Sequence, residues 1–291
     1  MSDPNFGRKL ANRYELIELI GQGAMGKVYR AEDTLLGGVI VAVKFLSQTL
    51  LNDKMRDRFV QEATTCAQLG QKSIHVVRVT DYGVSEDGIP FYVMEYLEGE
   101  SLSILIGQKA LPIPRFLGIT RQVCLGLKSA HEGIRIRGYD RPISIIHRDI
   151  KPSNILVTQD PTLGELAKIL DFGIAKLMQA DSEQTSSFMG TLAYASPEQM
   201  EGKELDNRSD IYSLGILMYQ MLTGQLPLRA SSHTFGGWYK VHHTEAPQPI
   251  TAIDPYTKVP KLLESLVMSC LEKQPENRPQ TINEILQAID P

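Results

Sequence analysis

Within the stretch Ile145 to Val157, the run His147-Arg148-Asp149-Ile150-Lys151-Pro152-Ser153-Asn154 places a carboxylate, an ammonium and a side-chain amide inside six residues. Apolar residues flank the group on both sides, and Pro152 forces an ordered turn within it. Such a concentration of polar groups marks a catalytic loop. Five fixed residues in the pattern His-Arg-Asp-x-Lys-x-x-Asn arise by chance at about one in three million per position when each residue type is used near one time in twenty. Coincidence is therefore not the rival. The rival is a degenerate relative that keeps the loop and has lost the reaction.

A second group lies near the N-terminus. Strand-like residues Glu15 to Ile20 run into Gly21-Gln22-Gly23-Ala24-Met25-Gly26 and out through Lys27-Val28-Tyr29, which puts the glycines in a hairpin. Small residues there let backbone N–H groups approach a polyanion, while Ile20 and Val28 can cover a flat base. Alone, G-x-G-x-x-G is a weak signal. Its dinucleotide-binding alternative requires a helix after the turn, where this chain continues as a strand to about Ala31. In Val39-Ile40-Val41-Ala42-Val43-Lys44-Phe45, the period of two sets Ala42 and Lys44 on one face and Val39, Val41 and Val43 on the other. A lysine inside a strand apolar on both faces calls for an anionic partner. Glu62 is the obvious mate, because in the helical segment from about Asn52 to Leu69 it falls on the apolar stripe of Met55, Phe59, Cys66 and Leu69.

The elements that must hold these groups follow the same patterns. Strands run from Val76 to Val84 and from Phe91 to Tyr96, and Glu98-Gly99-Glu100 has the composition of a turn and reads as a hinge. After Leu102 the chain becomes mainly helical, with a long amphipathic helix from Phe116 to Glu132. The lobe boundary belongs near residues 95 to 101. A length of 291 residues with 42% hydrophobic content suits two lobes. The net charge of −4 has no basic stripe, which argues against nucleic acid and membrane surfaces as partners. Cys66, Cys124 and Cys270 lack metal-type spacing and read as reduced core thiols, which suggests the cytosol. No apolar run is long enough to span a bilayer, although a cytosolic part of a longer protein would look the same.

With Lys44, Glu62, the catalytic loop and Asp171-Phe172-Gly173 in view, the chain resembles eukaryotic-type protein kinases, and within them the bacterial Ser/Thr kinases. The resemblance covers roughly Tyr14 to Ile289. It extends to Ser196-Pro197-Glu198, Asp210 within Ser209 to Gly215, and Arg278 before Pro279, all in the expected order. It implies an α+β, bilobal protein kinase fold. Residues 14–97 would form a small N-lobe of antiparallel sheet plus one helix, residues 98–291 a larger, mainly helical C-lobe, and residues 1–13 an N-terminal extension.

Phosphoryl transfer asks the protein mainly to position reactants and neutralise oxygen charge. By the resemblance, Lys44, held by Glu62, touches the α and β phosphates of ATP beneath the glycines Gly21, Gly23 and Gly26. Asn154 and Asp171 hold Mg²⁺, with Mn²⁺ an admissible substitute. Asp149 orients the incoming hydroxyl and accepts its proton, and Lys151 steadies the γ-phosphate. Ile20, Val28 and Ala42 above and Leu156 below sandwich adenine, with Met94 as gatekeeper and the backbones of Glu95 and Leu97 meeting the base. Lys151 together with Gly190-Thr191 is the pattern for Ser/Thr acceptors on protein substrates. Arg148 before Asp149 marks kinases whose activation segment is ordered by phosphorylation, with Thr185, Ser186 and Ser187 as acceptors.

Departures from the pattern are local. Ser196 stands where alanine is usual, and Ser153 replaces the acidic residue of many basophilic kinases. Asn154 to Asp171 is about four residues longer than the commonest spacing, an excess that fits a hairpin turn at Gln159 to Gly164. The insert 134–144 carries Arg135, Arg137 and Arg141 and reads as a solvated hairpin, or as a seat for a regulator. Residues 231–249, with His233, His242, His243 and Trp238, read as a loop or peptide-docking surface rather than a metal site. Glu198 and Arg278 are expected to form a structural ion pair. Nothing in the sequence demands a dimer or excludes one. Two functions remain: an active ATP-dependent protein Ser/Thr kinase, and a nucleotide-binding pseudokinase or scaffold, which usually lacks one of Lys44, Asp149 or Asp171.

Overall fold

Six short segments build an antiparallel sheet from β1 (Lys9–Leu10), β2 (Tyr14–Gly23), β3 (Gly26–Asp33), β4 (Val39–Leu46), β5 (Val79–Val84) and β6 (Pro90–Glu95), in the order β1-β2-β3-β4-β6-β5, with the central β4 and β6 buried on both faces over most of their length. The computed structural model describes residues 5–23, 26–46, 53–107, 109–135, 140–172, 192–253 and 259–290; the side chains at 53–55, 58 and 62 fall outside that description. Among these residues the chain divides into a unit closing at Glu98 and a second one beginning at Gly99.

In the first unit, one face of the sheet fixes the register. Leu16, Tyr29, Val41, Val43, Phe45 and Val93 pack into a common core. Val28, Ala42, Lys44 and Met94 therefore share the opposite face, where Val28 pairs with Lys44 and Ala42 with Met94 across the strands. Helix α1 (Asp53–Lys72) buries Phe59, Ala63, Cys66 and Leu69, and Phe59 meets Tyr82 of β5 edge to face. The segment 1–13 is not wholly an extension: Lys9 pairs with Glu15, Leu10 pairs with Tyr14, and Leu10 joins the core. Two residues are too short a run to show strand periodicity.

The second unit opens with β7 (Gly99–Ser101), α2 (Leu102–Ile106) and α3 (Ile113–His131), continues through β8 (Ile155–Asp160) and β9 (Gly164–Ile169), and ends in helices. These are α4 (Pro197–Met200), α5 (Asn207–Thr223), α6 (Phe235–Thr244), α7 (Ile250–Ile253), α8 (Lys261–Cys270) and α9 (Ile282–Ile289). Helix α5 is buried nearly all round, as a central helix must be. Asp206 caps its first turn by accepting the Arg208 N–H, and Gly224 ends it at φ +71°. At Gly215 the close approach of α8 leaves no room for a side chain, since a Cβ there would lie 2.7 Å from the Cβ of Cys270.

Two further expectations change. Glu98-Gly99-Glu100 is not simply a turn: Gly99 to Ser101 pair with Thr158 to Leu156 as a strand. Residues 231–249 contain a helix rather than a loop, capped by Thr234 on the Gly237 N–H, with Trp238, Val241 and His242 on its buried face. Glycines at 236 and 237 hide that helix from a propensity reading. Among the described residues, no group of three or more His, Cys, Asp or Glu is placed to hold a metal. The insert 134–144 closes as a hairpin base, Ile134 and Ile143 exchanging both backbone hydrogen bonds, while 136–139 lie outside the described residues. All three cysteines are free and buried. No described helix is long and apolar enough to cross a membrane.

Candidate active site

The β8–β9 hairpin explains how residues seventeen apart in sequence come side by side. Ile155 pairs with Ile169, and the Leu170 N–H donates to the Asn154 carbonyl at 2.8 Å, so Asn154 and Asp171 flank the open end of one hairpin. The extra residues sit at its far end, where Asp160 accepts the N–H groups of Thr162 and Leu163, so the extra length leaves the open end undisturbed.

Asp149 is held on two sides. Its side chain is 1% exposed, with Lys151 Nζ 2.8 Å and Asn154 Nδ2 3.0 Å from Oδ2. The same amide nitrogen donates to the Asp149 carbonyl at 2.8 Å. The amide nitrogen of Asn154 is thus committed to Asp149, and its Oδ1 is the atom with the chemistry of a hard-cation ligand.

The backbone around Asp149 is strained and then pinned. Arg148 and Asp171 have φ of +66° and +51°, the left-handed region. Asp210, buried in α5, accepts the His147 N–H at 2.8 Å on Oδ2 and the Arg148 N–H at 2.9 Å on Oδ1, and Oδ2 also meets His131 Nε2 at 2.8 Å. Burial alone would raise the Asp210 pKa. The His131 hydrogen bond and charge, with the His147 N–H, outweigh it and hold the carboxyl below its ordinary range. His147 is fully buried, and burial pushes its pKa down, so the ring is neutral. Its Nδ1 accepts the Asp149 N–H at 3.2 Å while Nε2–H donates to the Leu170 carbonyl at 2.9 Å, which assigns the tautomer. His147 also packs on Phe172 at 4.6 Å between ring centroids.

Glu198 of α4 forms a bidentate pair with Arg278, at 2.8 and 2.9 Å, as expected. The guanidinium uses its remaining donors on the carbonyls of Glu272, Lys273 and Arg208, and Ser209 Oγ donates to Glu198. Burial works against the Glu198 charge, yet Arg278 holds its pKa below the usual carboxylate range. Helix α6 packs Trp238 and Val241 on Leu192 and Ala193, just after the segment 173–191. His242 of the same helix meets the Tyr212 hydroxyl at 2.9 Å.

The first unit carries the remaining expected residues on its own sheet. Gly21 pairs with Val28 and Gly23 with Gly26 across the hairpin, while Ala24 and Met25 lie outside the described residues. Gly26 has φ +134°, and a Cβ on it would collide with the Phe45 carbonyl, so only glycine lets β3 pass β4 there. Leu19 packs toward the core, which leaves the adjacent Ile20 largely exposed. Lys44 is 5% exposed on the face it shares with Val28, Ala42 and Met94, its Nζ 5.8 Å from the Tyr92 ring centroid. Glu95 exchanges hydrogen bonds with Arg78, its N–H to the carbonyl and its carboxylate from the N–H, and Leu97 is half-buried. Leu156 is half-buried on β8 in the second unit. Glu62 lies in α1, and its side chain is outside the described residues, as are Thr185, Ser186, Ser187, Gly190 and Thr191.

Sequence reasoning placed Asp210 in the pattern without giving it a task, and it missed His131 and Gln199. A carboxylate within the apolar run after Ser209 was the available signal for Asp210, because a buried acid there must have partners. His131 carried no such mark.

Comparison with known proteins identifies the family. The family model described as protein kinase domain matches residues 14–289. Serine/threonine-protein kinase A of Synechocystis sp. is 61% identical over 289 residues, covering 99% of this chain and 54% of the relative. Serine/threonine-protein kinase pkn3 of Myxococcus xanthus is 36% identical, covering 99% and 52%. The chain thus spans about half the length of these curated relatives. A crystal structure of a double mutant of the Mycobacterium tuberculosis PknI kinase domain superposes with a TM-score of 0.72 at 25% identity, covering 100% of this chain and 98% of that one. With an antiparallel sheet in its first unit and helices dominating its second, this chain belongs to the protein kinase domain family, among the bacterial serine/threonine kinases.

Proposed function

We propose that this domain transfers the γ-phosphate of ATP to serine and threonine hydroxyls of protein substrates, acts in the cytoplasm, and phosphorylates itself at Thr185, Ser186 or Ser187. The observation that carries the reading is the setting of Asp149. A carboxylate almost wholly removed from solvent, with one oxygen held by a lysine and an amide, is oriented to accept a hydroxyl proton as the oxygen attacks. Lys151 neutralises charge on the transferring group from the same turn.

Asn154 and Asp171 supply hard oxygen donors that fit Mg²⁺ or Mn²⁺, and the ion, when bound, neutralises phosphate oxygen charge. In the first unit, Ile20, Val28, Ala42, Met94, Glu95 and Leu97 would receive adenine, with Leu156 contributed by the second. Gly21, Gly23, Gly26 and Lys44 would receive the phosphates, with Glu62 as the partner of Lys44. We assign the N-lobe to residues 14–97 plus the β1 strand, and the C-lobe to 98–291.

Incubation with γ-labelled ATP and Mg²⁺ tests the reading, comparing the natural chain with Asp149→Ala and Lys44→Met. Label on serine and threonine of the natural chain or of an added protein, lost by orders of magnitude in both folded variants, is the expected result. Nucleotide binding without transfer by the natural chain would make it a scaffold instead.

A further inference from the structure

Arg148 occupies the left-handed region without being glycine, so the turn into Asp149 must be held from outside. On its N-terminal side the Arg148 N–H donates to Asp210. On its C-terminal side the Arg148 carbonyl accepts a hydrogen bond from Gln199 Nε2 at 3.0 Å. That carbonyl shares a peptide plane with the Asp149 N–H, whose own bond to His147 Nδ1, at 3.2 Å, is at the long end of the range. Gln199 therefore grips the peptide unit that carries Asp149, as Asp210 grips the preceding one.

The sequence around Gln199 shows how it comes to be there. Ser196 caps α4, its Oγ accepting the Gln199 N–H at 3.3 Å. Ser-x-x-Gln is the spacing of a capping box, in which the glutamine side chain returns to the N–H of the cap residue. Here that side chain reaches across to the catalytic loop. The serine that departs from the usual alanine thus fixes the backbone of the residue whose side chain fixes Arg148. Glu198, next to it, anchors the same four-residue helix through Arg278. The mount is rigid on one side and reaches the catalytic turn on the other.

We propose that Gln199 is a positioning residue for phosphoryl transfer, its side-chain amide holding the Arg148–Asp149 peptide so that the Asp149 carboxylate keeps its orientation. The inference rests on Asp149 being the base. It predicts an effect on turnover rather than on nucleotide affinity, because among the described residues the side-chain amide of Gln199 donates to the Arg148 carbonyl of the loop. Losing one donor to a half-buried carbonyl should lower kcat about tenfold.

The test uses the full chain with Gln199→Met, similar in length without a donor, and Gln199→Glu, which turns carboxylate oxygens on the carbonyl. The expected result is kcat about tenfold lower in Gln199→Met and lower again in Gln199→Glu, with the KM for ATP changed less than about twofold. Hydrogen exchange at the Asp149 amide should quicken about tenfold in Gln199→Met. Unchanged kcat per folded molecule, with or without a lower melting temperature, overturns the proposal. So does a kcat loss matched by a rise in the KM for ATP. Should the natural chain transfer no phosphate at all, the functional reading fails separately. The amide then decides: faster exchange keeps the grip of Gln199 on the peptide, and equal exchange removes it.

Discussion

Acidification should unfold the second unit from within, through His242. Burial, reinforced by the charge of Lys273 and by His243, pushes this ring down to about 3, while Tyr212 offers its hydroxyl to Nδ1 of the neutral form. An unfolded histidine titrates near 6.5. The folded-state value is depressed, so the unfolded chain binds a proton below about pH 6.5 that the folded ring refuses, and stability falls as pH falls. Between pH 7 and pH 5 the two forms differ by about 1.5 pH units of binding at this ring, or about 2 kcal/mol. For a unit of this size that is about 4–8 °C in melting temperature. His147, likewise depressed by burial, adds a contribution of the same sign. Glu198 and Asp210 are held below their ordinary range, so they weaken the fold only below about pH 4, outside this window. Thermal melts of the natural chain and of His242→Gln at pH 7 and pH 5 read the difference directly. The variant can be less stable throughout; its loss between the two pH values should be smaller by about 4 °C or more. Equal losses in both proteins would refute the assignment of a neutral, desolvated ring at this position.

Two further outcomes follow from packing. Glu198→Gln leaves the buried Arg278 guanidinium without its countercharge and should cost about 3–5 kcal/mol, seen as a melting temperature lower by at least about 6 °C. Gly215→Ala drives a methyl group to within 2.7 Å of Cys270 Cβ and should cost about 1–3 kcal/mol, a loss that Cys270→Gly in the same chain partly restores in denaturant titrations.

The sequence made the strands and the turn at Asp149 legible because their signals are local. Val39 to Phe45 alternates over seven residues, and Pro152 fixes its own φ. Helix α6 was hidden because its signal is split: Trp238, Val241 and His242 recur at helical spacing, but Gly236 and Gly237 precede them and polar residues surround them. Strand β7 was hidden because three residues carry no period, and Gly99 pairs only because β8 lies beside it. Gln199 was invisible for a different reason. Its partner is a backbone carbonyl fifty-one residues away, and no residue type announces a hydrogen bond to backbone.

The strain at Arg148 shows which forces win at this site. A non-glycine residue in the left-handed region costs about 1–3 kcal/mol. Hydrogen bonds to a charged acceptor contribute about 1.5–3 kcal/mol each. Asp210 receives two from this backbone, at 2.8 and 2.9 Å, in a buried setting. The bonds outweigh the strain, and the turn is stable only while the carboxylate is present. A neutral residue at 210 would leave the strain in place and remove its compensation, so the loop would relax and carry Asp149 with it. Positioning of the Asp149 carboxylate is thus set by a buried acid sixty-one residues further along the chain, on the helix around which the second unit is packed.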